Sequence, residues 1–158
     1  MKPVLNLVAV VVVLFACVET SVSIEPQRKV VARKEVKVYF YHDPGEHIDL
    51  APVTRSVSAN APARPAIEAL LKGPTAAERQ KGFEPLASAN QFRIGSLSIR
   101  GGTARVNFVS KRRWAGWPGD LAPIRFKTAV ELTLKQFPSV QRVIVSLNGD
   151  VRFADERG

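Results

Sequence analysis

Four pairs or single residues break the chain and constrain what can fold between them: Gly73-Pro74, Gly101-Gly102, Pro138 and Asn148-Gly149. The longest helical pattern they bound runs from Asp120 to Phe137. At roughly 100° per residue, Phe126, Val130, Leu134 and Phe137 fall within about an 80° arc and make a core-facing stripe. Pro123 suits the first turn, and Asp120 is a candidate N-cap. Leu121, Ile124 and Leu132 form a weaker second stripe. That stripe either packs against the preceding Lys-Arg-Arg-Trp loop or serves as an interaction face.

Strands and short helices fill the remaining segments. Val36 to Tyr41 is β-branched and aromatic and reads as a strand, closed by the turn chemistry of Asp43-Pro44-Gly45. Leu50 to Val57 adds an extended piece whose Pro52 suits a sheet edge. Pro65 opens a helix with Ile67, Leu70 and Leu71 on one face, and Gly73-Pro74 ends it. Thr75 to Glu78 has capping-box spacing and starts a second short helix that ends near Gly82. Arg93–Arg100 and Ala104–Val109 flank a Gly-Gly hairpin signal. Val140 to Leu147 is a strong strand, and Asn148-Gly149 predicts a tight turn into a short return strand, Asp150 to Phe153. This order predicts an α+β fold: a mainly antiparallel sheet with helices packed on one face.

The N-terminus sets the compartment. The chain has 158 residues, enough for one domain and an extension. Lys2 precedes a largely apolar run from Val4 to Ala16, shorter than the about 20 residues a bilayer span needs. The run fits a signal peptide over residues 1–16. Its end, Leu14-Phe15-Ala16-Cys17, resembles the lipobox of bacterial lipoproteins, which makes Cys17 the lipidation site. Cleavage after Ser23, giving a secreted domain, and an uncleaved anchor stay open as alternatives. All three place the domain outside the cytoplasm, so nucleic acid is not an expected partner. Residues 17–34 read as a flexible tether and 35–155 as the domain. Cys17 is the sole cysteine, which excludes an intramolecular disulfide and a multi-cysteine zinc site.

Several of these segments together resemble a known family. Val36–Tyr41, Pro52–Val57, Ala66–Phe83, Ser96–Phe108 and Ala129–Asp150 match the GerMN domain in order and spacing. The most specific pieces are Leu70 to Gly82, with its Leu-Leu-x-Gly-Pro-Thr-x-x-Glu core, and Leu-Thr-Leu-x-Gln-Phe-Pro-x-Val, Leu132 to Val140. The resemblance covers about residues 36–150. It implies an exported, often lipid-anchored domain of the sporulation and germination type, similar to ring-building folds. It implies no enzymatic activity, and it makes protein interaction or assembly the expected role.

His42 and His47 flank Asp43 and Glu46 and could face each other across the Pro-Gly turn. A metal site wants further converging ligands, and none stands at a suitable spacing, so the segment reads as a solvated turn without metal or cofactor. A Gly-x-Ser-x-Gly elbow is absent, which leaves hydrolysis a remote alternative and no residue assigned as catalytic. The net charge of +9 is concentrated between Arg93 and Arg142, where ten Lys or Arg face Asp120 and Glu131 alone. Its focus is Lys111-Arg112-Arg113-Trp114-Ala115-Gly116-Trp117. Arg and Trp carry binding energy at interfaces, so Arg112, Arg113, Trp114 and Trp117, with Leu121, Ile124 and Leu132, are the candidate partner-binding residues. The alternative ligand for this basic half is an anionic cell-wall polymer or lipid. The plainer reading has both tryptophans covering the helix end while the charges are solvated.

Overall fold

The computed structural model describes residues 32–43 and 49–155. The apolar leader, Cys17, the Ser21–Ser23 site, the tether up to residue 31, the Pro44-Gly45 turn and His47 lie outside the described residues. The elements, in chain order, are β1 (Arg33–His42), β2 (Asp49–Ser58), α1 (Ala63–Lys72), α2 (Ala76–Arg79), β3 (Phe83–Glu84), β4 (Phe92–Arg100), β5 (Thr103–Ser110), α3 (Leu121–Lys135) and β6 (Arg142–Leu147). The α+β class and the antiparallel pairing expected from the sequence hold. The strands divide into two three-stranded sheets, ordered β2-β1-β3 and β4-β5-β6. Only β6 joins in parallel, because α3 carries the chain back across the sheet before β6 begins.

One apolar cluster unites both sheets with the helices. Alternation along β1 sends Val36, Val38 and Phe40 inward, and along β5 it sends Ala104, Val106 and Phe108 inward. Ile67 and Leu70 of α1 and Phe126, Val130 and Leu134 of α3 meet them, each fully buried. The core-facing stripe of α3 is therefore the one its periodicity marks. Each such side chain contributes roughly 1.5–3 kcal/mol by leaving water.

Local chemistry explains most boundaries. Thr75, extended at φ −66°, ψ 166°, accepts from the Glu78 amide, and the Glu78 carboxylate accepts from the Thr75 amide, completing the capping box. Asp120 does not cap α3 as expected. Its backbone is already helical at φ −71°, ψ −30°, and its side chain makes no cap hydrogen bond. A capping side chain needs the extended backbone that Thr75 has. Gly101 and Gly102 both take positive φ, as a tight hairpin turn requires. Asn148 and Gly149 do likewise at 53° and 87°. The return strand after them does not form. Leu147 and Asp150 make a single bridge, and residues 151–154 are turns. Phe153 instead stacks on Trp117, with ring centroids 6.1 Å apart, and so leaves the sheet for an aromatic cluster.

Two long-range contacts hold β1 in place. The Gln136 amide, just past α3, accepts from Lys37 N at 2.7 Å and donates to Lys37 O at 2.6 Å. It occupies the β1 edge that faces away from β2, where β3 reaches only Tyr41 and His42. Tyr39 has the same backbone orientation as Lys37, so its partner Pro52 turns its nitrogen to the open side of β2, where no ladder bond is lost. At the end of β1, Asp43 N donates to Gly82 O at 3.0 Å. Gly82 has φ +87°, and a Cβ there would stand 2.6 Å from Asp43 O. Gly101 also has positive φ, 52°, but a Cβ there would meet nothing within 4 Å.

This difference predicts an order of stabilities. Gly101→Ala pays only the left-handed backbone strain, about 1–2 kcal/mol. Gly82→Ala adds a backbone clash and loses about 3 kcal/mol or more. Urea unfolding of the two variants measures the gap, and equal losses would refute this account of Gly82.

Candidate functional site

His42 is already engaged. Its Nε2 lies 2.9 Å from Lys81 O and donates to it. Its ring tilts over Phe83 at 4.5 Å between centroids. Both contacts fasten the Gly82 turn to β1, a structural role for a histidine at a strand end. Among the described residues, no group of three His, Cys, Asp or Glu side chains comes together as a metal site would need.

Among the described residues, Glu78 is the most perturbed carboxylate. Arg55 of β2 grips it through two contacts of 2.5 and 2.6 Å. The same guanidinium lies 5.9 Å from the centroid of the buried Phe40 ring. The Glu78 pKa falls to about 2, chiefly because Arg55 hydrogen-bonds the ionised form; burial opposes the shift, and the Thr75 amide adds to it. The arrangement ties α2 to β2 and presents no open carboxylate to a substrate.

The basic and aromatic loop separates into two kinds of residue. Lys111, Arg112 and Arg113 are exposed. Trp114 and Trp117 turn inward and pack on the core. Their rings stand 5.2 Å from Phe92 and 5.5 Å from each other, and Trp117 lies 5.6 Å from Phe126. The Trp114 indole N–H is buried without a hydrogen-bond partner among the described residues. This is the arrangement in which the tryptophans cover the end of α3. The structure therefore does not bring the two arginines and two tryptophans into one outward patch.

The second stripe of α3 lies on a different side. Leu121 is 60% exposed, the more exposed of two large apolar residues that stand out at the described surface. Ile124 and Leu132 are half-buried on the same helix face. Leu121 stands on the rim of a cleft of about 360 Å³, also lined by Tyr41, Glu84, Leu86, Pro118 and Arg125. The Arg125 guanidinium sits 4.8 Å from the Tyr41 ring centroid. Burial raises the Tyr41 pKa, Arg125 lowers it and Asp49 raises it, with a net rise. Sequence reasoning did not pair Tyr41 with Arg125, because no local pattern links the end of β1 to the start of α3.

Residues 37–152, from inside β1 to beyond β6, match the Germane family, described as sporulation and spore germination. The chain belongs to this family. Its Germane domain is similar to the tandem GerMN domains of the sporulation protein GerM from Bacillus subtilis, with a TM-score of 0.57 and 21% identity. That match covers 77% of this chain and 41% of the tandem structure. The first GerMN domain of the same protein gives a TM-score of 0.55 at 21% identity, over 74% of this chain and 84% of that one. At this identity the likeness is one of fold. No curated protein matches the sequence. The family segment Leu70 to Gly82 thus maps onto the end of α1, the capping box, the Arg55 ion pair and the Gly82 turn. The segment Leu132 to Val140 maps onto the end of α3 and the Gln136 brace.

The Glu78 pairing predicts a pH dependence. An unfolded glutamate titrates near about 4.3, above the folded value, so the unfolded chain binds more protons between these values. The stabilisation is fully present above about pH 5 and is lost as pH falls toward 2. In Glu78→Gln the slope of stability against pH across this window flattens. Denaturant midpoints measured from pH 6 to pH 2.5 test it, and an unchanged slope would refute the role of the pair.

Proposed function

We propose that this Germane domain is a non-catalytic interaction module that works in the cell envelope, outside the cytoplasm, held there through a lipid on Cys17. Its work is to bind a protein partner or a second copy. The observation that carries the reading is Leu121, an exposed apolar residue at the head of α3, on the rim of a cleft with polar groups around it. Leu121 and the half-buried Ile124, one turn apart, join in an apolar surface rimmed by polar groups, which is the character of an interaction site. Ile124 and Leu132 extend the face along the helix, and Arg112 and Arg113 supply charged contacts from the loop that leads into it. Trp114 and Trp117 support the loop from beneath. The engagement of His42 and Glu78 in structural bonds supports the non-catalytic part.

Recovery of partners from membrane extracts with the full chain tests the binding face. Leu121→Asp with Arg112→Ser and Arg113→Ser lowers recovery, or self-association in light scattering, by about 30-fold, as expected for a contact worth about 2 kcal/mol. Unchanged recovery and association would sink this face. The envelope anchor is tested separately, by the intact mass of the membrane-extracted chain beside Cys17→Ser. The expected result is an N-terminus at Cys17 carrying acyl mass. An unmodified chain that begins near Ile24 would instead make it a secreted domain.

A further inference from the structure

The outer face of the β4-β5-β6 sheet lies apart from the Leu121 contact face, and its charge is unusual. Strand alternation turns Phe92, Val106, Phe108 and Val145 inward. The same alternation turns Arg93, Arg100, Arg105 and Arg142 outward, and all four are exposed. The register places three of them together. Arg100 pairs with Thr103, and Thr103 pairs with Arg142, so both arginines lie in one row across the sheet. Arg105 lies one step further along β5, between Ser98 and Ile144. With strands about 4.8 Å apart, the three Cα positions fall within roughly 10 Å of one another. That is close to the Debye length at physiological salt, so the charges feel each other.

Nothing on this face balances them. Its positions on the three strands hold Arg, Ser, Thr, Asn, Val and Ile, and no carboxylate. The ion pairs among the described residues engage Arg55, Arg64 and Lys127. Three exposed arginines this close together on one face make a local positive potential that an anion would relieve. Guanidinium forks match phosphate oxygens in a bidentate way. The charges also run in a line. Arg93 lies at the far end of β4, roughly 20 Å from Arg100, with Ser96 and Ser98 between them. A line of separated cations on a flat face suits an extended chain of anions better than one small ion. A bilayer surface fits less well, because interfacial sites use Trp and Tyr anchors and this face has none.

We propose that this sheet face binds a linear phosphate-bearing polymer, gripped at one end by Arg100, Arg105 and Arg142 and guided along β4 to Arg93. The site is distinct from the Leu121 face and does not depend on it.

The test uses the full chain and end-labelled long-chain inorganic polyphosphate. Four ionic contacts predict that log K falls with log salt at a slope of about −3. Arg100→Gln/Arg105→Gln/Arg142→Gln weakens binding by at least tenfold and brings the slope toward about −1. Its thermal midpoint stays the same or rises, since repulsion is removed. Lys111→Gln/Arg112→Gln/Arg113→Gln removes the same charge elsewhere and weakens binding less than threefold. Leu121→Asp binds polyphosphate as the parent does, which separates this site from the protein-contact face. Three results would overturn the proposal: no binding of polyphosphate, equal loss in the two triple variants, or binding to phosphatidylglycerol vesicles without binding to polyphosphate.

Discussion

The two sheets share no hydrogen-bonded ladder, so apolar burial between them holds the domain together. α3 is the chief agent, with α1 beside it. Phe126 meets Phe108 at 5.0 Å and Phe92 at 5.2 Å, while Val130 and Leu134 complete the same buried stripe. Every other feature depends on that packing. It brings Gln136 to the β1 edge, sets Arg125 over Tyr41, and gives Trp117 and Phe153 a surface to lie on. Close-packed contacts of this kind are unforgiving of volume changes, so the α3 stripe has little freedom to vary.

The segments that carry the family likeness turn out to be framework. In Leu70 to Gly82, the leucine enters the core, the glycines take backbone angles that suit no side chain, and Glu78 serves the helix cap and Arg55 at once. In Leu132 to Val140, Thr133 and Leu134 are buried and Gln136 is spent on backbone groups. These residues set the shape of the domain.

What could be seen in the sequence was local. The capping box, the Gly-Gly hairpin, the α3 stripe and the Asn-Gly turn each depend on residues a few positions apart, and each forms as its spacing dictates. The cap on α3 failed because residue type alone does not reveal backbone angle. The return strand failed because Phe153 had a better partner in Trp117, distant in sequence. β3, the division into two sheets, the Gln136 brace and the Tyr41–Arg125 pair all join remote segments, and no periodicity announces them. The charge bias was visible in composition, yet its apparent focus followed the contiguous Lys111–Arg113 run. The sheet assembles a second group, on one flat face, from arginines scattered over three strands.

The Gln136 brace has a consequence for how this chain behaves when disturbed. A primary amide that offers one donor and one acceptor to Lys37 imitates a single residue of a neighbouring strand. It therefore acts as a stopper on a sheet margin that could otherwise recruit an extended segment from another molecule. Because the stopper is mounted at the C-cap of α3, the margin is shielded only while that helix is seated. Fraying of the α3 end and exposure of a sticky β margin are thus one event, and quality of packing in the core becomes protection against aggregation at the surface.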